Sequence, residues 1–237
     1  MKILALESSA KAASVALCEG RRLIAQYYQA SGLTHSRTLL AMAEDLLANT
    51  DTAMAGVDGI AVAGGPGSFT GIRIGMAAAK GLAWGAEKPL CSVSTLAAMA
   101  HHCADDRVVV CPVMDARRDQ LYNALFVLKD GVPERLCGDR AVSMEQLKQE
   151  ASSSDRPFWL VGDGAELCAD AFARSGILFV LAPEDRRLQS AWGVAAAAQN
   201  GVFADPGGAE PNYLRLSQAE RERLARLAAE NNNTQPK

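Results

Sequence analysis

The residues best placed for chemistry stand in one run, Gly64, Gly65, Pro66, Gly67, Ser68, Phe69, Thr70, Gly71, Ile72, Arg73, Ile74 and Gly75, between an apolar stretch at 59–63 and a helix-like stretch at 69–85. Glycines beside a proline let a backbone turn sharply and lie close to a phosphate, an oxyanion or another protein surface. The run is not a P-loop, because Gly71 is followed by Ile72 and Arg73 where a Lys and a Ser or Thr are needed. It is not a nucleophile elbow either, since Pro66 holds the first glycine position. Ser68, at the strand-to-helix turn, can act as a nucleophile with His35, His101 or His102 as base, or simply cap the helix. The cap is the commoner role.

Metal chemistry finds little support. His35 has no second histidine four residues away, and His101 and His102 would point roughly 100° apart on a helix. Cysteines at 18, 91, 103, 111, 137 and 168 form no CxxC pair, and several lie in apolar runs, so buried reduced thiols are expected. A net charge of -3 and a pI of 5.7 argue against tight nucleic-acid binding by this chain alone; any RNA role would need a partner. No apolar run is long enough for a membrane span and the start lacks a signal-peptide core, so a cytoplasmic protein is expected.

The elements that must position these residues come in a repeated order. Strand patterns at 3–7, 14–18 and 21–28 precede a helix at 35–49, a strand at 59–63, a helix at 69–85, a strand at 90–93 and a helix from Ser94 to 103. After the polar Asp105, Asp106 and Arg107 the order restarts: strands at 108–114, 120–127 and 133–136, a helix opened by Ser143 and Gln146 in capping-box spacing, a strand at 158–161, a helix at 165–175, a strand at 177–180 and a helix at 190–200. Two βββαβαβα halves predict an internally duplicated α/β fold of the actin, hexokinase and Hsp70 kind, each lobe resembling ribonuclease H. The expected division is a first lobe at 1–104, a second at 105–216, and a C-terminal helix with a tail at 217–237, where Ser217 and Glu220 again have capping-box spacing. In nucleotide-using members of that fold the first strand ends in an Asp near magnesium, followed by a glycine-rich loop. Here Glu7 is followed by Ser8, Ser9, Ala10, Lys11, Ala12 and Ala13, without a glycine. Glu7, Gly67 and Ser68 are the residues that could meet a nucleotide or anion, and an actin-like small-molecule kinase is the alternative reading, with a Ser68 hydrolase as another.

Helix periodicity points elsewhere. At about 100° per residue, Arg73 and Lys80 share one narrow face of the 69–85 helix; Gly71, Gly75, Ala78 and Leu82 fall on a second, and Ile72, Met76 and Ala83 on a third. A helix apolar nearly all round is buried on more than one side. Glycines 71, 75 and 81 each cost about 1 kcal/mol relative to alanine, so close packing must recover that loss. The helix at 35–49 carries Leu39, Met42, Ala43 and Leu46 in a wide apolar arc. The two helices are therefore expected to form a partner-binding surface.

Taken together, Ile3 to Ser9, Ser14 to Gly20, His35-Ser36, the 64–75 run with 77–85, the stretch Val93 to Ala100, Met114 to Phe126 and Glu210 to Leu216 resemble the TsaB family, the non-catalytic paralogue in bacterial tRNA threonylcarbamoyladenosine synthesis. Glu7 stands where that family usually has Asp. The resemblance implies a scaffold rather than an enzyme, with no metal site and no cofactor held by the chain alone, ATP or ADP entering only in the assembled complex. It implies a TsaD-like catalytic paralogue and a TsaE-like ATPase as partners, tRNA reached indirectly through the complex, and a homodimer when alone. Mapped by motif, the interface residues are His35, Leu39, Met42, Ala43, Leu46, Gly71, Gly75, Met76, Ala78 and Leu82.

Overall fold

A computed structural model describes residues 1–215 together with Arg223 and Arg226; the expected helix and tail at 217–237 lie outside the described residues. Strands β1 (Lys2–Glu7), β2 (Ala13–Glu19) and β3 (Arg22–Gln29) form an antiparallel meander, and β4 (Gly59–Gly65) and β5 (Leu90–Ser94) add in parallel, giving the order β3-β2-β1-β4-β5. Helices α1 (His35–Asn49) and α2 (Phe69–Gly85) pack against each other and on one face of this sheet. β1 and β4 are buried along almost their whole length, which explains their unbroken apolar sequence.

The second sheet repeats the plan with interruptions. β6 (Val109–Asp115) pairs in parallel with β11 (Phe158–Val161), which pairs with β12 (Phe179–Leu181). The strand expected at 120–127 is broken into β7 (Gln120–Asn123) and β8 (Phe126–Lys129), and its return into β9 (Val132–Arg135) and β10 (Arg140–Ser143). β9 pairs with β8 and β10 with β7, so the meander keeps three lanes while each outer lane is split. The turn between β8 and β9 places Asp130 and Gly131 at φ 52 and 74, the left-handed pair that a tight hairpin requires. Helix α4 (Met144–Ser152) begins with the full reciprocal capping box of Ser143 and Gln146, and α5 (Ala165–Arg174) follows β11.

The strands divide at Asp105, but the helices do not. α3 (Thr95–Ala100), from the first half, buries Leu96 and Met99 against Val110, Met114 and Phe126 of the second sheet. α7 (Ala191–Ala198), which follows the short α6 (Glu184–Arg187), buries Val194, Ala195 and Ala198 against Ile3, Ala5 and Ala61 of the first. A side chain at Gly193 would come within 2.5 Å of the Ala98 carbonyl, so glycine lets α3 and α7 cross closely. Beyond α7, Ala204 bridges to Leu90 of β5, and the chain stays on the first sheet. Each sheet therefore also packs a helix from the other half of the sequence, while the strands keep to their own side of 104/105.

Candidate functional site

The turn and α2 answer first to this chain. Ser68 caps α2, its hydroxyl accepting from Gly71 N at 3.3 Å, and its own N–H donates to the Ser9 carbonyl at 2.7 Å. An added Cβ would fall 2.1 Å from the Ser8 carbonyl at Gly71, 2.4 Å from Ser8 Oγ at Gly75, and 2.4 Å from the Ser9 carbonyl at Gly67. Ser8 Oγ donates to the Gly71 carbonyl at 2.9 Å. The glycines therefore let the start of α2 lie against the end of β1. At the turn where an anion contact was expected, the Ser68 amide is used inside the chain, while Gly67 and Ser68 line the cleft between the sheets.

Glu7 does not fit a metal-placing role. It is fully buried, Oε1 accepts from the Ser9 amide, and Oε2 and the Ser9 hydroxyl have no partner among the described residues. Burial pushes its carboxyl up to about 7, the hydrogen bonds from Ser9 and Ser8 pulling only part of the way back and the Asp163 charge adding to the rise. Among the described residues no three His, Cys, Asp or Glu side chains gather as metal ligands would.

Two of the three histidines are held by hydrogen bonds within the chain. His35 Nε2 donates to the Ala10 carbonyl at 2.7 Å, tying the start of α1 to the β1–β2 turn. His102 Nδ1 donates to the Arg186 carbonyl, which leaves Nε2 to accept from the Ser190 hydroxyl, both at 2.9 Å. Burial lowers His101 and His102 to about 4, so both are neutral at pH 7. No hydrogen bond joins a histidine to Ser68 among the described residues. All six cysteines are free thiols, five buried and Cys137 half-buried.

Most residues of the expected partner-binding set are engaged within the chain. Leu39, Met42, Ala43, Leu46 and Met76 belong to the chain's own core, Gly71 and Gly75 face Ser8, and Ala78 and Leu82 are partly buried against that core. Periodicity identified the apolar arc correctly but could not say that the first sheet already covers it. Facing outward are Leu40 and Ala41 of α1, beside the polar Ser36, Arg37, Glu44, Asp45 and Asn49 and the small Ala48, and Thr70, Arg73, Ala77, Gly81, Trp84 and Gly85 of α2. Leu40 is 49% and Trp84 57% exposed. A hollow of about 340 Å³ lies between Met54-Ala55 and Gly81, Leu82, Gly85 and Ala86. At Gly81 an added Cβ would meet nothing within 4 Å. The Arg73–Lys80 face is covered by the chain's own later segment: Arg73 Nε donates to Tyr213 Oη at 2.9 Å and Lys80 to the Gly207 carbonyl at 3.2 Å.

A cleft of about 630 Å³ separates the strand ends of the two sheets, with Ser9, Lys11 and Ser68 on one wall and Asp115, Arg117 and Asp163 on the other. Burial raises Asp163, whose Oδ1 accepts from Gln189 at 3.2 Å.

Two ribonuclease-H-like sheets facing across a cleft, with exchanged helices, define an actin-like α/β protein of the ASKHA fold. A solved structure described as YeaZ from Pseudomonas aeruginosa superposes with a TM-score of 0.73 at 27% identity, covering 90% of this chain and 99% of that one. The ethanolamine utilization protein EutJ from Carboxydothermus hydrogenoformans is alike in fold alone, with a TM-score of 0.50 at 14% identity, covering 83% of this chain and 89% of that one. The family model described as TsaD, tRNA N6-adenosine threonylcarbamoyltransferase, matches residues 29–229. A Bacillus subtilis tRNA threonylcarbamoyladenosine biosynthesis protein TsaB is 32% identical over 224 residues, covering 93% of this chain and 96% of the relative. Its Escherichia coli counterpart is 37% identical over 128 residues, 53% and 55% of the two chains. The chain belongs to the TsaB family, within the wider grouping that the TsaD model describes. No described helix is long and apolar enough to cross a membrane.

Proposed function

We propose that this chain is a non-catalytic docking subunit in tRNA threonylcarbamoyladenosine synthesis, seating a TsaD-like paralogue on the outward face of α1 and α2. The carrying observation is Gly81. An exposed glycine inside a helix costs about 1 kcal/mol relative to alanine, and nothing in this chain lies where its Cβ would be. Gly71 and Gly75 are explained by Ser8; Gly81 is explained by a partner helix that approaches closely. The adjoining hollow, with Leu40 and Trp84 exposed beside small residues, suits an apolar knob from that partner. The same face would pair two copies when the chain is alone. A TsaE-like ATPase joins the pair, ATP or ADP enters only there, and threonylcarbamoyl goes to the adenosine beside the anticodon of tRNAs reading codons that begin with A.

The test is reconstitution of the chain with the paralogue and the ATPase, measuring threonylcarbamoyl transfer to tRNA with and without it. Transfer that depends on the chain supports the reading; transfer unchanged by its omission overturns it.

A further inference from the structure

The segment from 205 to 215 leaves the core after Pro206 and Ala209, and its last residues belong neither to the docking face nor to the core. It runs along α2 towards the helix start: Lys80 holds the Gly207 carbonyl, and Ala209 packs on the first core. The Asn212 amide then donates to the Gly64 carbonyl at 2.7 Å. Tyr213 stacks on Phe69 with ring centroids 4.0 Å apart and planes 3° from parallel, while Arg73 bonds its hydroxyl and sits over both rings. Two residues on, Arg215 Nη1 donates to the Ala116 carbonyl at 2.6 Å and the Arg117 carbonyl at 3.3 Å, in the turn between β6 and β7 of the opposite sheet. Arg215 also lines the cleft.

We propose that residues 212–215 are a latch across the mouth of the cleft, anchored on the first lobe by Asn212 and Tyr213 and on the second by Arg215, and that its release lets the lobes open. The two anchors are unequal. The first combines a backbone hydrogen bond, a ring stack and a guanidinium contact. The second is one guanidinium on two carbonyls of a turn whose Arg117, Arg118 and Asp119 hold φ of 61, 55 and 56, a conformation that non-glycine residues adopt reluctantly. Opening therefore proceeds at Arg215, with Tyr213 still seated on α2. Because Phe69 and Arg73 belong to α2, the latch also ties the opening of the cleft to the helix that carries the docking face. It does not depend on which partner that face receives.

The test uses the full chain with spin labels on p-acetylphenylalanine introduced at the exposed Glu44 of α1 and Asp170 of α5, which spares the native thiols. Pulsed dipolar spectroscopy reads the distance between the lobes. The unsubstituted chain should give one narrow distribution, Arg215→Ala a longer and broader one, and Arg215→Lys, which keeps one donor group, an intermediate one. Amide exchange at Ala116 and Arg117 should rise at least threefold in Arg215→Ala. A cooperative thermal transition shows that each variant is folded. If folded Arg215→Ala superimposes on the unsubstituted chain, the latch is overturned. It is equally overturned if only Tyr213→Ala widens the distribution, since the crossing would then not be held by Arg215.

Discussion

Helices α2 and α5 hold matching places in the two lobes, each following the second parallel strand of its sheet, yet they present different outer faces. α5 exposes Glu166, Leu167, Asp170, Ala173 and Arg174 along its length, whereas α2 exposes Thr70 and Arg73 in its first turns and beyond them only small or apolar residues, Ala77, Gly81, Trp84 and Gly85. α5 shows that the fold tolerates a charged outer surface at this position. The small and apolar surface of α2 is therefore not a requirement of the lobe, which is what a docking role predicts. The inner faces differ as well. α2 approaches β1 through glycines, while α5 packs Cys168, Ala169 and Phe172 in an ordinary core.

The largest expected effect is on that inner approach. Gly71→Ala puts a methyl carbon 2.1 Å from the Ser8 carbonyl, and backbone on both sides cannot yield cheaply. A loss of about 3 kcal/mol is expected, roughly 6–12 °C in Tm for a chain of this size, read by thermal unfolding. Gly81→Ala is the control on the same helix, and should raise stability by up to about 1 kcal/mol. Equal effects at the two glycines would erase the distinction between an inner and an outer face of α2.

The outer face is tested by charge. Gly81→Arg enters open space in the isolated chain and replaces glycine by a good helix former, so Tm should rise slightly, as for Gly81→Ala, while affinity for the paralogue falls about 100-fold, measured by calorimetry. Asp170→Arg on α5 should change neither. If both substitutions weaken binding alike, the contrast between the helices is surface charge in general and not a docking site.

Much of this was legible because local chemistry carried it. Alternation and turn residues placed the strands; Ser68 and Ser143 were readable as caps, and both form their bonds. Arg73 and Lys80 were correctly assigned to one face. Their partners, Tyr213 and Gly207, lie more than a hundred residues away, and no periodicity signals such a contact. The exchange of α3 and α7 was hidden for the same reason. An apolar arc such as Leu39, Met42 and Leu46 looks identical whether its own sheet or another subunit covers it. The breaks between β7 and β8 and between β9 and β10 depend on which lane each residue pairs with, information that sits in the neighbouring strand.

Glu7 offers a contrast between the strand ends, since Asp115 closes β6 in an exposed position while Glu7 closes β1 fully buried. Its folded pKa is raised from 4.5 to about 7, so between those values the native state holds more protons than the unfolded chain, and stability falls as pH rises. His101 and His102, lowered to about 4, act oppositely, losing stability as pH drops below about 6.5. The two slopes overlap, so the informative quantity is the difference between the chain and Glu7→Gln. That difference should grow in favour of Glu7→Gln from pH 4.5 upward, reach about 3 kcal/mol and level off near pH 8. Denaturant unfolding at pH 5, 6, 7 and 8 measures it, and a constant difference would place the Glu7 carboxyl in an ordinary, solvated setting.

The smallest effect concerns helix starts. α1 begins at Thr34 without a side-chain cap bond, held instead by His35 on the Ala10 carbonyl, whereas α4 begins with the reciprocal Ser143–Gln146 box. α4 is only nine residues long, too short to be stable on propensity, and its outer face is polar. Ser143→Ala removes the acceptor for the Gln146 amide and should cost about 1 kcal/mol, roughly 2–4 °C in Tm. Affinity for the paralogue should be unchanged, because α4 lies in the second lobe, away from the α1–α2 face. A loss of binding that exceeds the loss of stability would bring the second lobe into the docking surface and so remove the contrast between α2 and α5.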